Sequence, residues 1–200
     1  MKSMMFLILS LFVVLPASAS DILGPNFHEI DRGRFYRSAQ LDSKEFSHYI
    51  QAYGIKTIIS LREAEPKERW YQDELVVSRK YGVEHHDIPM LAEMIPHREN
   101  LIRLLDLYKS APRPILIHCQ GGADRSGEVS AIYQMLYQGK SREESLKMLT
   151  WKYHHVEMFK PAKRYFISQI WQGEDWAYND YHPCEENYRY YDKTTAYCKH

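Results

Sequence analysis

The stretch that most constrains this chain is Ile115–Gly127, Ile-Leu-Ile-His-Cys-Gln-Gly-Gly-Ala-Asp-Arg-Ser-Gly. Its first three residues form an apolar run behind the breaker Pro114, which predicts a short buried strand. Downstream, Val129, Ile132, Tyr133, Leu136 and Tyr137 fall at i, i+3, i+4, i+7 and i+8, the stripe of a helix, with Gly139 as its stop. The loop between them carries a strand's C-terminal end into a helix N-terminus. Free backbone N–H groups and the positive end of the helix dipole make such a place an anion site. Cys119 opens the loop and Arg125 closes it, with five residues between. A thiol beside a helix N-terminus and a guanidinium ionises readily, typically with a pKa of roughly 3.5–7.5, and the thiolate is the stronger nucleophile. Arg125 offers a planar fork matched to two phosphate oxygens. Gly121 and Gly122 let the backbone of Gln120, Gly121, Gly122, Ala123 and Asp124 turn so that its N–H groups converge. These residues and Arg125 are the candidate phosphate-binding set.

The rest of the chain alternates strands with helices. Phe27–Ile30 and Arg34–Ser38 read as short strands around the turn at Asp31-Arg32-Gly33. Asp42 or Ser43 caps a helix with Phe46, Tyr49, Ile50 and Tyr53 on one face, ended by Gly54. Lys56–Leu61 is a β-branched strand, Pro66 opens a helix to about Lys80, and Val83–Ile88 is the next strand. A helix from Arg98 to Lys109 precedes the organising loop. Ser141 to Glu144 is a capping box that predicts a helix through about Tyr153, and Pro161 opens a last one ending near Gln172. This alternation implies an α/β fold with a central, mostly parallel sheet and helices on both faces. Ligands of such sheets bind beyond the C-terminal ends of strands, which groups the organising loop with the segments after Leu61 and Ile88.

Residues 1–19 read as an export signal peptide. Lys2 is the only charge, Met4–Leu15 is apolar except Ser10, and Ala17-Ser-Ala19 is a cleavage site. The apolar stretch is shorter than the roughly 20 residues of a membrane-crossing helix, although an uncleaved anchor is the alternative. We therefore expect an exported protein, periplasmic or secreted, with no stable membrane insertion after cleavage. Without Lys2 the chain has 25 basic against 26 acidic side chains, so bulk charge does not steer it to nucleic acid. One catalytic domain is expected over 21–172. The segment 173–200 lacks periodicity and is rich in Tyr; it reads as an irregular extension wrapped on the domain. It holds Cys184 and Cys198, which in an oxidising compartment form a natural disulfide, with two free thiols as the alternative.

The pattern His-Cys-x-x-Gly-x-x-Arg-Ser-Gly from His118 to Gly127 resembles the signature loop of the protein tyrosine phosphatase superfamily. The wider arrangement, Arg34–Gln40, Gly54–Arg62, Ile88-Pro-Met and the signature, resembles its compact bacterial dual-specificity-like members, including exported ones. That resemblance spans roughly 31–172. It implies a cysteine-phosphatase fold and phosphomonoester hydrolysis through a cysteinyl-phosphate, on a phosphorylated protein or a small phosphoester. It implies that Cys119 attacks phosphorus, Arg125 binds the phosphoryl group, Ser126 hydrogen-bonds the thiolate, and His118 holds the loop and tunes the thiol. The family takes its general acid from an Asp after an Ile-Pro-hydrophobic stretch, but here Ile88–Leu91 leads to Ala92. The substitutes are Asp124 inside the loop, Glu93 and Asp87. Arg62 is either a second phosphate contact or a structural ion-pair partner. The leading reading is a phosphotyrosine or dual-specificity phosphatase. The alternatives are a phosphoinositide or inositol-phosphate phosphatase, a sulfur transferase of the rhodanese kind, and a non-catalytic phosphate-binding pseudophosphatase. No metal and no cofactor is expected: His85-His86 and His154-His155 come without a recognisable ligand set.

Overall fold

Three strands carry the apolar or β-branched residues that a doubly covered sheet needs: β2 (Phe35–Ser38), β3 (Thr57–Ser60) and β5 (Ile115–His118), each buried along its whole length. They lie side by side in the computed structural model, which describes residues 24–199; the expected export segment, 1–19, lies outside the described residues. Two more polar strands close the edges, β1 (His28–Asp31) and β4 (Glu84–Asp87), giving a five-stranded sheet of order β1-β2-β5-β3-β4. Only the β1–β2 pairing is antiparallel.

Strand alternation splits the core in two. Tyr36, Leu116 and Ile58 stand in register across β2, β5 and β3 and face α1 (Ser43–Tyr53) and α2 (Arg69–Tyr81), where Phe46, Ile50 and Val77 meet them. Phe35, Ile115, Ile117 and Ile59 face the other way. They pack on α3 (Arg98–Ser110) through Leu101, Leu104, Leu105 and Tyr108, and on α4 (Asp124–Tyr137) through Val129, Ile132 and Tyr133. The same alternation sends Arg37 to the α4 side and His118 to the α2 side, which fixes what each can reach.

The capping box at Ser141 and Glu144 forms, but the helix it opens, α5 (Arg142–Ser145), lasts one turn. The chain continues as 3-10 turns at Leu146–Met148 and Trp151–Tyr153 rather than as the expected helix to Tyr153. The reason is competition for carbonyls. Arg164 takes those of Leu146 and Leu149 at 3.1 and 3.2 Å, and Arg37 takes that of Met148 at 3.0 Å. Oxygens bonded to these guanidinium groups are drawn out of the i→i−4 ladder. The last helix of the expected domain, α6 (Pro161–Tyr165), closes in a π turn at Phe166–Ile170, short of Gln172.

The C-terminal extension is not featureless. It holds α7 (Glu174–Asn179) and a 3-10 turn at Ala196–Cys198. Ala177 and Tyr181 are fully buried in the α3–α4 core, and the Tyr181 hydroxyl donates to the Pro96 carbonyl at 2.5 Å. Cys184 and Cys198 are joined by a disulfide, and Cys119 is free and buried.

Candidate active site

The loop after β5 is held by its carbonyls. Gln120 O accepts from the Gln40 N–H at 3.1 Å, and Gly121 O from Asn26 Nδ2 at 3.0 Å. Gly122 O and Ala123 O both accept from Arg37 Nη2, at 2.6 and 2.9 Å. Within a peptide unit the N–H points opposite to the C=O. Four consecutive carbonyls tied down into the protein therefore turn the N–H groups of Gly121, Gly122, Ala123 and Asp124 outward, toward the cavity, as an anion cradle. Gly122 is required there. Its φ is +64°, and a Cβ would lie 2.5 Å from Ala39 N and 2.6 Å from the Ser38 carbonyl carbon. Gly127, in the first turns of α4, is equally confined, since a Cβ would meet Leu149 at 2.6 Å and the Met148 carbonyl at 2.8 Å.

Cys119 sits at the floor of a cavity of about 390 Å³ lined also by Gln120, Gly121, Asp124, Arg125 and the Met90–Glu93 segment. Burial pushes its thiol up; the Arg125 charge and the Ser126 hydroxyl and N–H more than offset this, and the thiol ends below its ordinary value. Ser126 is fully buried. The Arg125 guanidinium is positioned by Nη1 bonds to the Leu61 carbonyl at 3.2 Å and the Met90 carbonyl at 3.3 Å, while its buried Nε has no partner among the described residues. The segments after β3 and β4 thus hold the arginine that closes the cradle.

Beneath the loop lies a second network. His118 Nε2 is 2.7 Å from Glu74 Oε1, and both side chains are fully buried. Glu74 also bonds His85 at 2.9 Å and accepts from Gln40 Nε2 at 2.8 Å. Burial alone would raise the Glu74 carboxyl; the two histidines hold it well below the usual carboxylate range. Gln40 passes the network on to Arg62, whose Nη1 donates to Gln40 Oε1 at 3.0 Å while the guanidinium lies 3.4 Å over the Trp70 ring. Burial lowers Arg62, against the opposing charge of Glu65.

The three candidate acids part company. Asp124 opens α4, lines the cavity with Cys119, and receives His155 Nδ1 at 2.7 Å on Oδ1. Glu93 lines the same cavity but is bonded by Lys160, which holds its carboxyl below the ordinary value. Asp87 accepts from the Tyr71 hydroxyl at 2.6 Å and faces His85, outside the lining of that cavity. Of the two that line the cavity, Glu93 is held ionised by the Lys160 ammonium, which leaves Asp124, within the loop and bonded to the His155 imidazole, as the better-placed acid. The arrangement can bind a phosphoryl dianion, attack it with a thiolate and protonate what leaves.

Sequence reasoning did not single out Arg37, Glu74, Asn26 or His155 as parts of the site. Two of them carried a signal. Arg37 is a charge inside a wholly buried strand, and Glu74 stands on the buried face of α2 between Tyr71, Val77 and Ser78. A charge placed where an apolar residue belongs is held by partners. Asn26 and His155 lie in irregular segments and carried none.

Comparison with solved structures finds this fold repeatedly. P. aeruginosa TpbA in complex with phosphotyrosine matches with a TM-score of 0.57 and 18% identity, over 78% of this chain and 88% of that one. The core catalytic domain of the PP-IP phosphatase SIW14 from S. cerevisiae matches at 0.58 and 23%, over 72% and 84%. Tk-PTP in its active form matches at 0.53 and 25%, over 73% and 96%. A comparison with curated protein sequences finds no match. The family model described as "DSP-PTPase phosphatase fused to NAD+ Kinase" matches residues 11–165. On that match, which takes in the whole cradle and the network beneath it, the chain belongs to this family of dual-specificity-type protein tyrosine phosphatases.

Proposed function

We propose that this phosphatase is an exported hydrolase of aryl phosphomonoesters, with phosphotyrosyl protein as its substrate class. The Cys119 thiolate attacks phosphorus in line with the leaving oxygen. Arg125 and the N–H groups of Gly121, Gly122, Ala123 and Asp124 take up the charge on the equatorial oxygens. Asp124 gives its proton to the departing phenoxide and regains one from the water that then cleaves the cysteinyl-phosphate. Ser126 stabilises the thiolate as it leaves. His155 keeps Asp124 aimed at the cavity.

The observation that carries the choice of substrate is the charge around the mouth. Arg62, Arg125 and Lys160 line the two adjoining cavities together with Glu63, Glu65, Glu93 and Asp124, and two of the cations are already paired, Arg62 with Glu65 and Lys160 with Glu93. One phosphoryl group is fully served by the cradle. A polyphosphorylated inositol, the substrate class of the SIW14 fold relative, would bring further dianions against those carboxylates. The phosphotyrosine held by TpbA would not. Export rests on residues 1–19 alone. The test is a panel of phosphotyrosine peptide, phosphoserine peptide, inositol hexakisphosphate and a diphosphoinositol on the mature protein. The expected order places the aryl ester first. Preference for an inositol phosphate refutes the substrate class, and no turnover of any member refutes catalysis.

A further inference from the structure

The cavity that holds Cys119 adjoins a second one of about 410 Å³, and the two share Met90, Leu91, Gln120 and Arg125. One wall of the second cavity is Pro89, Met90 and Leu91. A second part of the lining is Thr195, Ala196 and Tyr197, from the C-terminal extension. This wall lies thirty residues beyond the last position matched by the family model.

The wall is fastened at several points. The Tyr197 ring stacks on His97 with centroids 3.9 Å apart and planes 14° from parallel, and its hydroxyl is 3.1 Å from Asn100 Nδ2, which also bonds the Pro89 carbonyl at 2.6 Å. The Tyr191 hydroxyl is 3.0 Å from His97 Nδ1, and the Ile95 N–H donates to the Tyr190 carbonyl at 3.0 Å. The disulfide to Cys184 closes the turn that presents Tyr197. Leu91, 52% exposed, therefore lines together with this fixed segment a groove that adjoins the phosphate cradle.

The chemistry of the groove disfavours a second phosphate. Arg62 already bonds Gln40 and covers Trp70, and Glu63 and Glu65 lie at the rim. An apolar side chain suits the walls; Glu65 is paired with Arg62 at 3.9 Å, which leaves Glu63 to turn away an acidic one.

We infer that the C-terminal extension builds a subsite for the residue next to the phosphotyrosine of a protein substrate, one that takes an apolar side chain between Leu91 and Tyr197 and rejects an acidic one. The subsite rests on the phosphotyrosyl reading above. The extension is then a specificity element and not only a clamp on the domain.

The test uses the mature, oxidised protein, p-nitrophenyl phosphate, and two phosphotyrosine peptides that differ only in leucine or glutamate flanking the phosphorylated residue. Burying about half of a leucine side chain predicts roughly a tenfold preference in kcat/KM for the leucine peptide, and more once charge repulsion is added. Ala196→Trp fills the groove without removing a fastening, and is expected to erase that preference while leaving p-nitrophenyl phosphate turnover at the wild-type rate. Cys198→Ser, which frees the wall, is expected to act in the same direction. Equal use of both peptides by the wild type, or an unchanged preference in Ala196→Trp, overturns the subsite while the phosphatase reading stands. Loss of all turnover in the wild type overturns that reading, and the subsite with it.

Discussion

Arg37 is the residue whose removal best separates folding from function. Its guanidinium is fully buried, makes three bonds to the carbonyls of Met148, Gly122 and Ala123, and forms no salt bridge among the described residues, although the charges of Cys119 and Asp124 favour its ionised form. Burial lowers it to about 10, so it stays charged at neutral pH. Hydrogen bonds to a charged group contribute about 1.5–3 kcal/mol each, which places the gross loss in Arg37→Met at roughly 4.5–9 kcal/mol. Against that, the variant no longer desolvates a cation without a salt-bridge partner, a penalty of several kcal/mol that the charges of Cys119 and Asp124 offset only in part. The net change in stability is therefore expected to be a few kcal/mol at most, within the ~5–15 kcal/mol of an ordinary domain. Activity has no such offset. Freed from Arg37, the Gly122 and Ala123 peptide units no longer hold the N–H groups of Ala123 and Asp124 toward the phosphate. One misplaced donor of this kind typically lowers kcat by about 10²–10³, so a loss of at least 10² in kcat/KM is expected. Arg37→Lys keeps the charge but cannot span three carbonyls, and should fall nearly as far. The assay is steady-state hydrolysis of an aryl phosphate, with inhibition by inorganic phosphate and a denaturant melt on the same preparations. A folded Arg37→Met protein that keeps its kcat/KM within about threefold, below the roughly 0.7 kcal/mol such a change represents, would refute the carbonyl-tying account of the cradle.

Four shorter expectations follow from the same geometry. Cys119→Ser should abolish turnover yet still bind phosphate by calorimetry, and a chelator should leave the wild type unaffected; turnover in the variant, or sensitivity to the chelator, contradicts a thiolate mechanism. Asp124→Asn should slow esters of poor leaving groups by about 10²–10⁴ and flatten the alkaline limb of their pH–rate profile while sparing activated aryl esters. The same behaviour in Glu93→Gln would move the acid's role there. Glu74→Gln should destabilise the fold by about 2–4 kcal/mol in urea at pH 7. Because the folded carboxyl lies below its unfolded value of about 4.3, the ionised group's contribution is present above that pH, so the gap between the two proteins should close only in stronger acid. Burial raises Glu128 to about 7 despite its 2.9 Å bond to Lys163, so its contribution runs the other way, present below its unfolded pKa and lost as pH climbs through 7. Lys163→Met should therefore cost about 3–5 kcal/mol at pH 8.5, where the carboxylate is left buried and unpaired, and visibly less at pH 5.5, where it takes up a proton.

How far the site was readable from the sequence follows the range of the forces that build it. Cys119, the glycines and Arg125 fall within one turn of chain, so covalent spacing alone puts thiol, N–H groups and guanidinium together. The groups that aim the cradle come from 80 to 95 positions away, at Asn26, Arg37 and Gln40, and no local pattern names their acceptors. What the sequence does carry is the anomaly each charge creates. An arginine inside a buried strand and a glutamate on a buried helix face must each find partners, and here those partners are the loop carbonyls and His118. The same competition explains the missing helix after Ser145. A capping box states where a helix begins because it concerns neighbours in sequence. Where the helix ends was decided by Arg37 and Arg164, which claim the carbonyls of Leu146, Met148 and Leu149. One side chain, Arg37, thus shapes both the cradle and the break in the chain that packs against Gly127. The extension after α6 was hard to read for a different reason. It is held by aromatic rings docking singly, Tyr181 under α3 and Tyr197 on His97, and rings that dock one at a time leave no period to detect. Its place beside the Cys119 cavity depends on the distance between two walls of a groove, a quantity that exists only once the chain has folded.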